Sequence, residues 1–365
     1  MCWNIDKFGT RVLNKNLINV VQNCGLGNTT LDYITKVLCS SSEWNNGVQG
    51  VPADIIIIVE PVSGTQGKGE EATGDCIIAQ ERLITALNVF IANQNLQDRY
   101  HFAGTPQQNI ASRESMSIIY NNIVLNYADS GALRDNTDGW LAPRAPFWAQ
   151  FTTVAAPNTP INIIGIHSPQ KGENRGGAEY QYNRQLEYAD ALATIPEIIQ
   201  QAESVIIAGD YNCSTRSQRK RQIIDEGRRR SVRVPGFENL TALNYNTQIP
   251  NPMLGPPDIP LNIYSSVRRR VNNNEEYPMN YLSEAYDTAL YHLVNLLNPR
   301  QQVNNLIGTA QNTIGPVQNG VNVVQNGPLS PAYVRPLLDN YRKVSDHFPT
   351  TTLFDYPDPP PVQAE

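Results

Sequence analysis

No two of the five cysteines, Cys2, Cys24, Cys39, Cys76 and Cys213, form a C-x-x-C pair. Their odd number and wide spacing suggest neither a zinc site nor a full disulfide framework, and one disulfide remains possible. Apolar runs of membrane-spanning length are also missing. The opening "MCWNIDKFG" leads straight into a strand-like pattern, with no charged segment and apolar core of a signal peptide before it. A soluble chain without a leader is the expectation, its compartment left open between the cytoplasm, as the default, and secretion. Excess positive charge is lacking too. A net charge of -6 argues against a protein that coats nucleic acid through overall positive charge, although a local basic groove remains compatible with it. Histidine is scarce: the chain has four.

What is present describes a globular protein. With 40% hydrophobic and 17% charged residues over 365 positions, the chain can bury a sizeable core. Apolar stretches bounded by polar turns predict short buried strands at Met1 to Ile5, Ala53 to Glu60, Ser115 to Tyr120, Ile161 to His167, Ser204 to Asp210, Ala285 to His292 and Thr350 to Phe354. Helical spacing predicts helices over Cys76 to Asn93 and Tyr180 to Ala202, with one or two more between Asn16 and Leu38. Strands alternating with helices favour one mixed α/β domain, here taken as residues 1–356. A polar, Asn/Gln/Gly/Pro-rich stretch at about 299–331 reads as a surface insertion that could form a hairpin, and 357–365 as a Pro-rich tail.

The informative pattern is where polar residues fall, at the ends of apolar strands from which a side chain can reach a shared cleft. Asn4 follows "MCW", with Asp6 two residues on; Glu60 follows "DIIIIV"; His167 follows "INIIGI"; Asp210 and Asn212 follow "VIIAG". Asp287 lies in "AYDTALYH", and Asp346 and His347 precede "FPTTTLF". Any one of these alone reads as a strand-terminal turn or cap. Together they amount to a hard-cation site plus acid/base groups. Oxygen ligands without a cysteine cluster suit Mg²⁺ or Mn²⁺. His101 and His292 have no such context and read as core or surface residues.

The segments "CWNID", "DIIIIVEPV", "IIGIHSP", "VIIAGDYN", "AYDTAL" and "VSDHFP", in this order, resemble the endonuclease/exonuclease/phosphatase superfamily of deoxyribonuclease I-like enzymes. The matches span Asn4 to His347. The resemblance implies a four-layer α/β/β/α sandwich of two packed mixed β-sheets, with the active site at one edge. It implies that Asp287 pairs with His347, and that Glu60 is the foremost metal ligand, with Asn4, Asp6 and Asp346 close by. Asp210 and Asn212 would orient the attacking water and hold a phosphate oxygen. The run "SRESMSIIY" resembles the segment that supplies a Glu to a second catalytic His, which implies that Glu114 supports His167 as general acid; Arg113 would be a phosphate contact.

Two basic runs, Ser214 to Arg233 and Val267 to Arg270, lie close in sequence to these motifs and favour a polyanionic ligand, with Arg216 and Arg219 as phosphate contacts. Aromatics are not interleaved with them, so stacking on single strands is not indicated. The expected function is a metal-dependent endonuclease acting on DNA rather than RNA. A sphingomyelinase-like or small-molecule phosphodiesterase or phosphatase is the alternative, and a catalytically dead binding module stands further off, because every motif residue is in place.

Overall fold

The computed structural model describes residues 1–17, 29–39, 52–62, 75–105, 114–133, 146–167, 204–210, 238–239, 287–292, 296–303, 317–318, 321–322, 341–347 and 349–355. The helix expected over Tyr180 to Ala202, both basic runs and the tail lie outside these residues, as do Arg113, Asn212, Arg216 and Arg219.

Two six-stranded mixed sheets pack face to face. The first contains β1 (Cys2–Phe8), β2 (Ile55–Val62), β3 (Phe102–Gly104), β4 (Glu114–Asn121), β11 (Leu297–Val303) and β14 (Thr350–Asp355), in the order β11-β14-β1-β2-β4-β3. The second contains β5 (Leu125–Ala132), β6 (Phe147–Thr153), β7 (Pro160–His167), β8 (Ser204–Asp210), β9 (Glu238–Asn239) and β10 (Asp287–His292), in the order β5-β6-β7-β8-β10-β9. Each sheet holds one parallel pair, β1/β2 and β7/β8, among antiparallel neighbours. Helices α2 (Thr30–Cys39) and α3 (Asp75–Asn93) cover the outer face of the first sheet, with a single turn, α1 (Thr10–Leu13), beside them. The result is an α/β sandwich, as expected. Among the described residues no helix is long and apolar enough to cross a membrane.

The run of isoleucines in β2 shows why a continuous apolar strand is needed here. Side chains alternate faces along a strand. Ile56 and Ile58 therefore enter the core beneath α2 and α3, while Ile57 and Val59 enter the core between the sheets. A strand buried on both faces carries no polar alternation. Trp3 and Ile5 of β1 likewise face the helices, and Cys2 faces the second sheet. From that second sheet Phe147, Ala149, Phe151, Ile161, Ile163, Ile206, Ala208 and Ala289 meet them.

Several elements depart from the sequence expectation. Strands β3, β5, β6 and β11 lie where none was predicted, and Gln301–Val303, at the start of the polar stretch, complete β11 against β14. Further along that stretch Val317–Gln318 (β12) pairs antiparallel with Val321–Asn322 (β13), the short hairpin that its composition allows. Strand β2 continues past Glu60 to Val62.

Gly165 and Gly209 mark close approaches. A Cβ on Gly165 would stand 3.1 Å from Ile57 Cγ2 across the sheets, and one on Gly209 would stand 2.0 Å from the Ile166 carbonyl oxygen of the neighbouring strand. Backbone cannot yield as a flexible side chain can. Gly209→Ala should lower the unfolding free energy by at least about 2 kcal/mol, measured by urea denaturation. A Gly209→Ala protein as stable as the wild type would show that β7 and β8 can separate locally.

Candidate active site

The row of side chains facing the opposite sheet turns polar at one end of the sandwich. In β8, Asp210 is in phase with Ile206 and Ala208; in β7, His167 is in phase with Ile161 and Ile163; in β10, Asp287 is in phase with Ala289; in β1, Asn4 is in phase with Cys2. Register brings them together. His167 and Asp287 both stand beside Asp210, on opposite sides of it. Residues level with each other on neighbouring strands project from the same face. All four are buried, with Asp210 at 0% exposure and Asp287 at 1%.

Glu60 reaches the same place by another route. Strict alternation would turn it away from the second sheet, with Ile56 and Ile58. Its backbone instead takes φ 67°, and the β2/β4 register shifts between Val59 and Val62. Positive φ is uncommon for a residue with a Cβ, and such strain concentrates at functional positions. The Asn4 amide nitrogen then donates to both acids, to Glu60 Oε1 at 3.2 Å and to Asp210 Oδ2 at 3.0 Å. One side chain of β1 thus joins the two sheets through their carboxylates.

Two imidazoles close the cluster. His347 Nδ1 lies 2.7 Å from Asp287 Oδ2, a hydrogen bond that fixes the ring and points Nε2 toward Asp210 Oδ2 at 3.6 Å and Asp346 Oδ1 at 3.8 Å. His167 Nε2 lies 3.5 Å from Glu60 Oε1 and 3.7 Å from Asp210 Oδ2. Burial pulls the His347 pKa down, but the charges of Asp287 and Asp210, the Asp287 hydrogen bond and Asp346 outweigh it and raise the pKa well above the ordinary imidazole value. Burial, then the same two carboxylates, also drives the Cys2 thiol pKa up, which makes Cys2 a packing residue rather than a nucleophile.

The donor set fits a hard divalent cation. Glu60 and Asp346 offer carboxylate oxygens, and the buried Asn4 Oδ1 has no hydrogen-bond partner among the described residues. Asp210, Asp287 and His347 also offer ligand atoms within 4.8 Å of one another, but there the Asp287 to His347 bond already occupies Nδ1. Glu60 and Asp346 form the open rim, 13% and 32% exposed.

Of the residues singled out from sequence, Asn4, Glu60, His167, Asp210, Asp287, Asp346 and His347 converge. Asp6 lies half-buried further along β1, where its charge acts on Lys15, and no described contact joins it to the cluster. Glu114 opens β4 opposite Val62, and its side chain is outside the described residues. His101 is exposed beside Asn122, away from the cluster. Three residues escaped the sequence reading: Ser345, Trp3 and Tyr341, whose polar atoms meet the His347 backbone. Ser345 stands inside the "VSDHFP" motif, so its position was visible and its bond was not.

No protein-family model matches the chain, and no curated protein matches it. Solved structures resemble it over nearly its whole length. Truncated Caenorhabditis elegans TDP2 is 13% identical, with 97% of this chain and 95% of that one covered and a TM-score of 0.46. A mannosyl-6-phosphatase of Bacteroides thetaiotaomicron is 12% identical, covering 97% and 98%, also at 0.46. An endonuclease/exonuclease/phosphatase family protein from the same bacterium is 12% identical, covering 97% and 96%, at 0.44.

Cation binding at the cluster should stabilise the fold. At a hundred-fold excess of Mg²⁺ or Mn²⁺ over its Kd the gain is about 2.7 kcal/mol, read as a rise in thermal midpoint over protein in EDTA. Glu60→Gln should abolish the rise, and a rise that persists in the variant would place the cation elsewhere.

Proposed function

We propose that the protein is a metal-dependent phosphodiesterase, and that its substrate is DNA, cut as an endonuclease. The observation that carries this reading is the Asp287–His347 pair set against the acids that Asn4 joins. An imidazole held at Nδ1 by a carboxylate keeps one orientation, and its Nε2 can move a proton or face a phosphoryl oxygen.

Each group has a part in this chemistry. Glu60, Asn4 and Asp346 hold Mg²⁺ or Mn²⁺, which when bound neutralises charge developing on the phosphoryl oxygens. Asp210, between the two imidazoles, orients the attacking water and accepts its proton, and Asn212 holds a phosphate oxygen. His347, fixed by Asp287, faces the scissile phosphate. His167 protonates the leaving oxygen, supported by Glu114. In-line displacement needs the incoming and departing oxygens on opposite sides of phosphorus, which assigns the water to Asp210 and the leaving oxygen to His167.

DNA is favoured over a small ester by sequence. The basic run from Ser214 begins four residues after Asp210, and that proximity in sequence supports Arg216 and Arg219, with Arg113, as contacts to flanking phosphates. A small-molecule or lipid phosphodiester is the second reading, favoured by the net acidity of the chain as a whole.

The test is nicking of supercoiled plasmid, with bis(p-nitrophenyl) phosphate as a small diester, in Mg²⁺, Mn²⁺ or EDTA. Wild type should nick the plasmid with metal only, and Glu60→Ala and His347→Ala should each lower the rate about 10³-fold or more with the fold retained. Hydrolysis of the small diester alone would favour the second reading. Folded wild type that hydrolyses neither would overturn both.

A further inference from the structure

Asp287 holds the ring of His347, and a separate set of contacts holds its backbone. The His347 N–H donates to the Ser345 hydroxyl at 2.8 Å, and that hydroxyl donates to the Asn4 carbonyl. The His347 carbonyl accepts from Trp3 Nε1 at 2.8 Å and from the Tyr341 hydroxyl. Both lone pairs of that oxygen are thereby engaged. Buried hydrogen bonds of this kind are costly to leave half made, and Trp3, Ser345 and Tyr341 are all buried.

The support extends into the outer core. The Trp3 and Tyr341 rings stack with centroids 6.4 Å apart at 18°, and Tyr33 of α2 meets Tyr341 edge-on at 6.3 Å and 68°. Burial raises the Tyr341 phenol well above its ordinary pKa, so the hydroxyl stays protonated and remains a donor. Consecutive residues of β1 therefore serve both halves of the site. The Asn4 side chain joins Glu60 to Asp210, while the Asn4 carbonyl and the Trp3 indole anchor the segment that carries His347.

We propose that Ser345, Trp3 and Tyr341 are positioning residues that fix the reach of the His347 imidazole to Asp210 by tying its backbone to the strand that carries Asn4. Without this tie Asp287 still orients the ring about one nitrogen, but the distance from Nε2 to the acids is no longer set. The kinetic consequence rests on the phosphodiesterase reading, and the consequence for the imidazole does not.

The experiment uses the full 365-residue chain with Mg²⁺ and compares Ser345→Ala, Ser345→Thr and Tyr341→Phe with wild type. Readouts are kcat and KM on bis(p-nitrophenyl) phosphate and plasmid, and the ¹H–¹⁵N signal of the His347 ring, assigned through its loss in His347→Ala. Displacement of a catalytic group by about 1 Å can cost ~10²-fold in rate. Ser345→Ala should lower kcat about 10- to 100-fold with KM nearly unchanged and broaden the ring signal, Ser345→Thr should restore most of both, and Tyr341→Phe should cost about 3- to 10-fold. Folded Ser345→Ala and Tyr341→Phe proteins with wild-type kcat and a wild-type ring signal would overturn the proposal. Should Ser345→Ala fail to fold, Tyr341→Phe keeps the ring stack and decides the matter by the same two readouts. A wild type that hydrolyses neither diester, yet whose ring signal broadens in the variants, overturns the phosphodiesterase reading and leaves the positioning role standing.

Discussion

Two carboxylates directly opposite each other on neighbouring strands, both out of solvent, impose the constraint from which this site follows. Asp210 and Asp287 share a face of β8 and β10, with Glu60 approaching from the other sheet. Like charges in that arrangement destabilise a sheet, and burial adds a desolvation cost to each. The protein offsets this with specific partners. Asn4 donates to Asp210 and Glu60, and His347 meets Asp287 and approaches Asp210. A structure that keeps three acids together at such cost has a use for them, and concentrated negative charge with oxygen donors suits a divalent cation.

The same interior row that builds the core builds the site. Along β7 and β8 the faces that meet between the sheets are apolar until the last inward position, where His167 and Asp210 stand, and Asn4 and Asp287 are in phase with the buried Cys2 and Ala289 of β1 and β10. Rigid strands thereby aim the functional groups, so little conformational entropy remains to be lost on binding. Glu60 is the exception, delivered by a left-handed residue and a register shift, and it is also more exposed than the inner acids. Gly209 permits the close approach of β7 and β8 that sets His167 beside Asp210.

What could be read from the amino-acid sequence divides along the same physical line. Central strands buried on both faces, such as β2 and β8, announce themselves as apolar runs, and the polar residue that ends each run marks the site. Sheet edges do not. Strands β3, β5 and β11 lie at the margins of their sheets; β3 is three residues long, and "LNYADSGA" and "LNPRQQV" are largely polar in sequence, so no apolar run marks them. Strand β6 is different: its alternate burial of Phe147, Ala149, Phe151 and Thr153 is a period-two pattern that was there to be read. Side-chain bonds to backbone, such as those from Trp3, Ser345 and Tyr341 to the His347 segment, have no periodicity and need coordinates.

The central claim is that Glu60 and Asp346, with Asn4, hold a cation beside an imidazole already fixed by Asp287. Diffraction at the manganese absorption edge from crystals soaked in Mn²⁺ tests it most directly. The account predicts one anomalous peak against Glu60 and Asn4, with the His347 to Asp287 hydrogen bond retained. Manganese bound elsewhere while this cluster stays empty, or an Asp287 carboxylate drawn off His347 onto the metal, would contradict it.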